Sequence, residues 1–149
     1  MTLPKFKRGL PESVTEGTNG ANQSLKTGFD YVDENTLLGT GTKAKSSIEP
    51  PGWQPNSGFA RGHLLARVLG GSGNLPQNLV TMLQNPTNAP AMASVEAQIA
   101  NAVAAGEVVD VGVVPVYGGM GSRPVGMIIK AHGSKMVDPL DITTYIPSP

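Results

Sequence analysis

Only one stretch of this chain has the pattern of a helix of useful length, so the rest must be built from short elements around it. From Ala91 to Ala105 the sequence is rich in alanine, and Met92, Val95, Ile99 and Val103 recur at helical spacing. That pattern buries one helix face. Gly106 follows as the expected C-cap. Upstream, Asn85-Pro86-Thr87-Asn88-Ala89-Pro90 is turn chemistry, with a proline close to the first helical position. Elsewhere the 19 glycines and 13 prolines cut the 149 residues into short pieces. A helical bundle is excluded on that ground.

Short strands fill the remaining apolar runs. Asp30-Tyr31-Val32 and Thr36-Leu37-Leu38 are candidates, followed by a loop at Gly39-Thr40-Gly41-Thr42. Ser46 to Gly58 holds Pro50, Pro51 and Pro55 and is expected to be irregular. Phe59 to Leu69 reads as a strand running into a helical turn, Gly70-Gly71-Ser72-Gly73-Asn74 as a flexible loop, and Leu79 to Leu83 as another strand. Val108 to Tyr117 is the clearest strand, although Pro115 suggests an edge or a bulge. Val125 to Ala131 can pair with it across a turn at 118–124. A short strand and a frayed end are expected after Pro139. Residues 1 to 24 read as a linker-like lead-in and 25–149 as a single domain.

Eleven basic and eleven acidic residues give no net charge, so bulk charge provides no argument for a polyanionic partner. Locally, Lys43, Lys45, Arg61 and Arg67 against Glu49 leave an excess of three positive charges between Asn35 and Val95. There is no cysteine, which excludes disulfides, thiolate metal sites and cysteine nucleophiles. No window approaches the ~18 apolar residues of a membrane span. Lys5-Phe6-Lys7-Arg8 has no apolar run behind it, so no signal peptide is expected.

The chemistry-bearing residues cluster in the same middle region. Arg61-Gly62-His63-Leu64-Leu65 holds one of only two histidines. Asn78-Leu79-Val80-Thr81-Met82 follows, then the asparagine-rich turn, then the helix with Glu96. This order resembles the DNA/RNA non-specific endonuclease family, a group of ββα-metal, or His-Me finger, nucleases. The resemblance covers roughly Asp30 to Ala131, and its specific part lies between Arg61 and Glu96. It implies an α+β fold in which a twisted antiparallel sheet carries a ββα-metal unit. The implied activity is metal-dependent cleavage of DNA and RNA. The usual family motif has aspartate before Arg-Gly-His, and here that place is taken by Ala60.

Phosphodiester hydrolysis needs a base for the attacking water, positive charge on the phosphoryl oxygens and help for the leaving oxygen. A histidine titrates in the right range to be that base, which makes His63 the candidate. Arg61 and Arg67 are candidate phosphate clamps, with Lys43 and Lys45 as weaker ones. Magnesium or manganese suits an oxygen-rich site, and magnesium keeps several of its waters. In the resembled family a metal asparagine opens the helix after the histidine strand, and a glutamate follows by two helical turns. Asn88 and Glu96 match that spacing, so Asn88 is implied as the metal ligand, with Asn85 as the alternative. Asparagine also favours turns and caps, and Asn78 is read as structural. Glu96 is the only charge between Met92 and Ala105. It either faces the site, through metal-bound water, or pairs with an arginine at the core edge. His132, just past a strand, reads as a surface turn residue.

The family includes secreted nucleases, organelle nucleases and toxin domains of large bacterial effectors. A short chain with no signal of its own is most similar to the last group. That similarity implies delivery into a target cell and a cognate immunity protein. Two other readings stay open: a metal-independent RNase toxin using His63 and Arg61, and a non-catalytic protein-binding module.

Overall fold

The structure is a computed structural model, and it describes residues 15–18, 24–32, 41–118 and 121–149. The expected strand at Thr36-Leu37-Leu38 lies outside the described residues. Five antiparallel strands form one sheet, in the order β1 (Thr15–Thr18), β2 (Ser24–Val32), β5 (Val109–Tyr117), β6 (Pro124–His132) and β7 (Asp141–Pro147). A separate two-stranded hairpin joins β3 (Phe59–His63) to β4 (Leu79–Leu83). Helix α1 (Ala93–Ala104) follows β4 through an irregular segment, so β3, β4 and α1 make a ββα unit. Among the described residues, no helix is long and apolar enough to cross a membrane.

The core lies between the inner face of the sheet and this unit. Along β5, Val109, Val111 and Val113 are buried and alternate with more exposed neighbours. A period of two is what a sheet with one packed face requires. Met127, Ile129 and Ala131 of β6 continue the same face. Against them pack Val95, Ile99 and Val103 of α1, with Met92 just before it and Val80 and Met82 of β4. The helical spacing in the sequence is therefore the spacing of the core face.

Several expectations are corrected. The regular helix begins at Ala93 rather than Ala91, because Asn85 and Ala89 have extended backbone angles. Each precedes a proline, and the proline ring disfavours helical geometry in the residue before it. Pro115 lies in a central strand, not at an edge. Pairing with β2 covers only Val109–Val113 of β5, so no ladder bond from Pro115 to β2 is missing. The expected irregularity falls beside it, between Val116 and Tyr117. The C-terminal end is not frayed: Ile146 and Ser148 are buried, Ser148 N donates to Val125 O at 2.8 Å, and Leu83 N donates to Ser148 Oγ at 3.0 Å. Strand β1 falls within the stretch read as lead-in. Gly106 closes α1 as expected, with φ of 99°.

Candidate active site

The pleat of β3 decides which of its side chains reach the site. Ala60 packs against the core, and Gly62 is buried so close to Met82 that a Cβ there would collide with its side chain. Phe59, Arg61 and His63 therefore project from the opposite face. A cleft of about 680 Å³ opens there. Its polar lining is Lys43, Arg61, His63, Arg67, Asn88 and Glu96, and alanines such as Ala66, Ala93 and Ala97 make much of its apolar wall. Six of the sequence-derived candidates are thus brought together. Lys45 is exposed and does not line the cleft, nor does Asn85. His132 is exposed at the end of β6, with Nδ1 2.9 Å from an Asp141 carboxylate oxygen.

His63 is held through its backbone neighbours. Its Nε2 lies 2.9 Å from the Thr42 carbonyl oxygen. A carbonyl can only accept, so Nε2 carries the proton and the neutral ring keeps a lone pair on Nδ1. Burial lowers the His63 pKa, the Thr42 bond opposes this in part, and the positive charge of Arg67 lowers it further. The ring is therefore neutral near pH 7, with Nδ1 available as a base. Ala60, in the place of the usual aspartate, faces away from this ring. The orientation of His63 comes from Thr42 instead.

Thr42 is itself fixed by the segment expected to be a flexible loop. Gly71 and Gly73 are buried, and their backbones are stitched to the strand of chain that carries Thr42. Thr42 N donates to Gly71 O at 3.1 Å, Lys45 N donates to Gly73 O at 2.8 Å, and Gly73 N donates to Thr42 Oγ1 at 2.8 Å. A Cβ at Gly71 would collide with the Leu65 carbonyl, and one at Gly73 with that of Lys43. Glycine is required here by close approach of backbones, not by mobility. Asn78 supports the same corner from inside. Fully buried, it accepts from Leu65 N at 2.9 Å and donates to Leu65 O and Ser72 O, each at 3.0 Å.

Arg61 is more tightly tied than its sequence position suggests. Nε donates to Ile48 O at 2.6 Å, Nη2 donates to Ser46 O at 2.8 Å, and the guanidinium lies 4.0 Å from the Trp53 ring centre. It pins the proline-rich loop against the hairpin while its remaining N–H groups keep positive charge at the cleft. Sequence reasoning missed Trp53 and Thr42. A sole tryptophan within a proline-rich loop is a usable signal for the first. The second acts through its carbonyl, which no side-chain pattern reveals.

Asn88 and Glu96 bring side-chain oxygens to the cleft wall. Asn88 Nδ2 donates to Gln84 Oε1 at 3.0 Å, which leaves Asn88 Oδ1 as the free acceptor of that amide. The helix break at Ala89 removes the continuous helical rise on which the expected Asn88-to-Glu96 separation rested, and both residues line the same cleft. Glu96 makes no hydrogen bond or ion pair among the described residues, so it is not the partner of an arginine. Burial alone raises its pKa from 4.5 to about 7. Among the described residues no three His, Asp or Glu side chains converge to hold an ion. An ion in this cleft would take most of its ligands from water and substrate, as magnesium does.

An α+β fold with a ββα unit and a histidine-bearing cleft over its hairpin is the architecture of the ββα-metal nucleases. The chain belongs to the DNA/RNA non-specific endonuclease family, whose model matches residues 31–134. It is thus an enzyme family member that hydrolyses nucleic acids. The fold is also similar to solved nucleases. NucA from Streptococcus agalactiae with magnesium bound aligns with a TM-score of 0.73 at 18% identity, over 99% of this chain and 77% of that one. Sda1 nuclease with bound zinc aligns with a TM-score of 0.71 at 18% identity, over 92% of this chain and 74% of that one. A structure described as an extracellular endonuclease aligns with a TM-score of 0.62 at 16% identity, over 92% and 78% of the two chains. No curated protein matches the sequence.

Proposed function

We propose that this protein is a sugar-non-specific endonuclease that cuts phosphodiester bonds of DNA and RNA, with His63 as general base and one divalent ion held by Asn88. The observation that carries this reading is the bond from His63 Nε2 to the Thr42 carbonyl oxygen. It leaves a basic Nδ1 in a cleft that also holds positive charge and a free amide oxygen. In the reaction, His63 Nδ1 takes a proton from the attacking water. Arg67 and Lys43 bind the phosphate, and the remaining N–H groups of Arg61 add charge from a fixed position. Asn88 Oδ1 and, through water, the Glu96 carboxylate fit magnesium or manganese, both of which prefer oxygen donors. When bound, such an ion would neutralise charge on the phosphoryl and leaving oxygens. The ions named in the NucA and Sda1 structures support a divalent metal without choosing its identity here.

The cellular setting follows by resemblance: a toxin domain, secreted or delivered into a target cell, whose cognate immunity protein blocks the cleft. The extracellular endonuclease among the fold neighbours supports export. The test of the chemistry is digestion of plasmid DNA and total RNA, with magnesium and with chelator, by wild type and His63→Ala. Magnesium-dependent cutting of both, lost on substitution, is the expected result. RNA cutting that survives chelation would replace this reading with metal-independent cleavage. Absence of any cutting would replace it with a binding role.

A further inference from the structure

We propose that Arg123 and Phe59 form a second nucleic-acid subsite, which grips the substrate strand a few nucleotides from the bond cut in the His63 cleft. The proposal rests on the nuclease reading of that cleft.

A second cavity, of about 480 Å³, opens at the far end of the same hairpin face. Its walls include Phe59 of β3, Thr81 and Leu83 of β4, and Arg123 with Val125 at the start of β6. This is within the size range of sites that hold small ligands. Among the described residues that line it, Arg123 alone has a charged side chain. It is exposed and has no carboxylate partner among the described residues, where the one ion pair joins His132 to Asp141. Its guanidinium lies 4.5 Å from the Phe59 ring centre. One face of the guanidinium is therefore occupied, and its N–H edges remain for a phosphate. A cation beside an aromatic ring is the combination by which sequence-tolerant grooves hold a strand, through phosphate charge and base stacking.

The placement of this pair ties it to the cleft. Phe59, Arg61 and His63 occupy alternate positions on one face of β3. From Phe59 to His63 is ~13 Å at ~3.3 Å per residue. A stacked strand covers that length in at most about four nucleotides at ~3.4 Å each, and an extended single strand in fewer. Arg61 on Trp53 stands between, so two arginine–aromatic stacks and the base follow one line. The two stacks share a mount. Gly52, adjacent to Trp53, has φ of 81°, and a Cβ there would collide with the Arg123 side chain. The loop that seats Arg61 is therefore moulded to Arg123 as well. A chain of zero net charge has an unpaired arginine where a longer substrate would reach.

The test compares cleavage of a single-stranded 12-mer and a dinucleotide with one phosphodiester bond by the full chain, wild type, Arg123→Ala and Arg123→Lys, over a range of salt. Arg123→Ala is expected to raise KM for the 12-mer about tenfold and leave kcat unchanged. Its kcat/KM on the dinucleotide, which cannot reach the subsite, stays at the wild-type value and doubles as the folding control. The slope of log KM against log salt for the 12-mer falls by about 0.7, the contribution of one phosphate contact on a single strand. Arg123→Lys restores that slope. Equal losses on both substrates, or an unchanged salt slope, overturn the subsite while leaving the cleft reading intact. A wild type that cuts neither substrate overturns the cleft reading and the subsite with it.

Discussion

Replacing Glu96 by glutamine should make this protein more stable, and only at high pH. The carboxyl sits in the cleft wall with no hydrogen-bond partner among the described residues, and burial raises its pKa from 4.5 to about 7. A raised acid pKa means that the folded state holds the proton more tightly than the unfolded state. Stability is therefore full below about pH 4.5, falls as pH rises to about 7, and stays reduced above that. At about 1.4 kcal/mol per pH unit the gap corresponds to about 3 kcal/mol. Water in the open cleft screens part of it, leaving roughly 2 kcal/mol. Glutamine keeps the shape and removes the charge. Urea or thermal unfolding in metal-free buffer should show Glu96→Gln level with wild type near about pH 4. It should be more stable by roughly 2 kcal/mol near about pH 8.5, which is a Tm increase of about 6 °C for a chain of this size. Saturating magnesium should narrow the gap, because a nearby cation favours the ionised carboxylate. His63 titrates in both proteins and cancels in the difference. A difference that stays flat from acid to alkaline pH would refute the argument.

Two further outcomes follow from the same corner of the molecule. The pH profile of kcat/KM should rise along an acid limb with a pKa below 6.5, because burial holds His63 neutral to lower pH; initial rates across that range, at fixed salt and metal, test it, and a limb above 6.5 contradicts it. Asn78→Ala removes two buried hydrogen bonds and one part-buried one and should destabilise the fold by about 3 kcal/mol, read as a lower urea midpoint with unchanged slope.

The sequence revealed those features that depend on local pattern. Met92, Val95, Ile99 and Val103 announced the helix and its buried face, and the alternation from Val109 to Val113 announced a strand with one packed side. Asn78 was legible as structural because asparagine favours turns and caps. Strand β1 was not legible, since Thr15–Thr18 pairs through backbone groups that any composition offers. Of the residues that line the cleft, His63 and Arg67 could be named from residue type, and Asn88 and Glu96 only through the family resemblance. What fixes them could not. Thr42 acts through a carbonyl, Arg61 is held by two carbonyls and a ring from a loop read only as irregular, and Lys45 differs from Lys43 only in where the chain turns. These are contacts between segments distant in sequence, and spacing carries no information about them.

The stitching of Gly71 and Gly73 to the Thr42 segment has a consequence for how such an enzyme diverges. In the proposed reading, Lys43 can drift to other residues and alter how strongly phosphate is held without disturbing its neighbours. The two glycines touch no reacting atom, yet any side chain there pushes apart the backbones that determine which ring nitrogen of His63 is free. Selection on catalysis would therefore act as hard on two residues without functional groups as on the histidine itself. A lineage could acquire new substrates around the rim of this cleft long before it could alter the hinge of backbone beneath it.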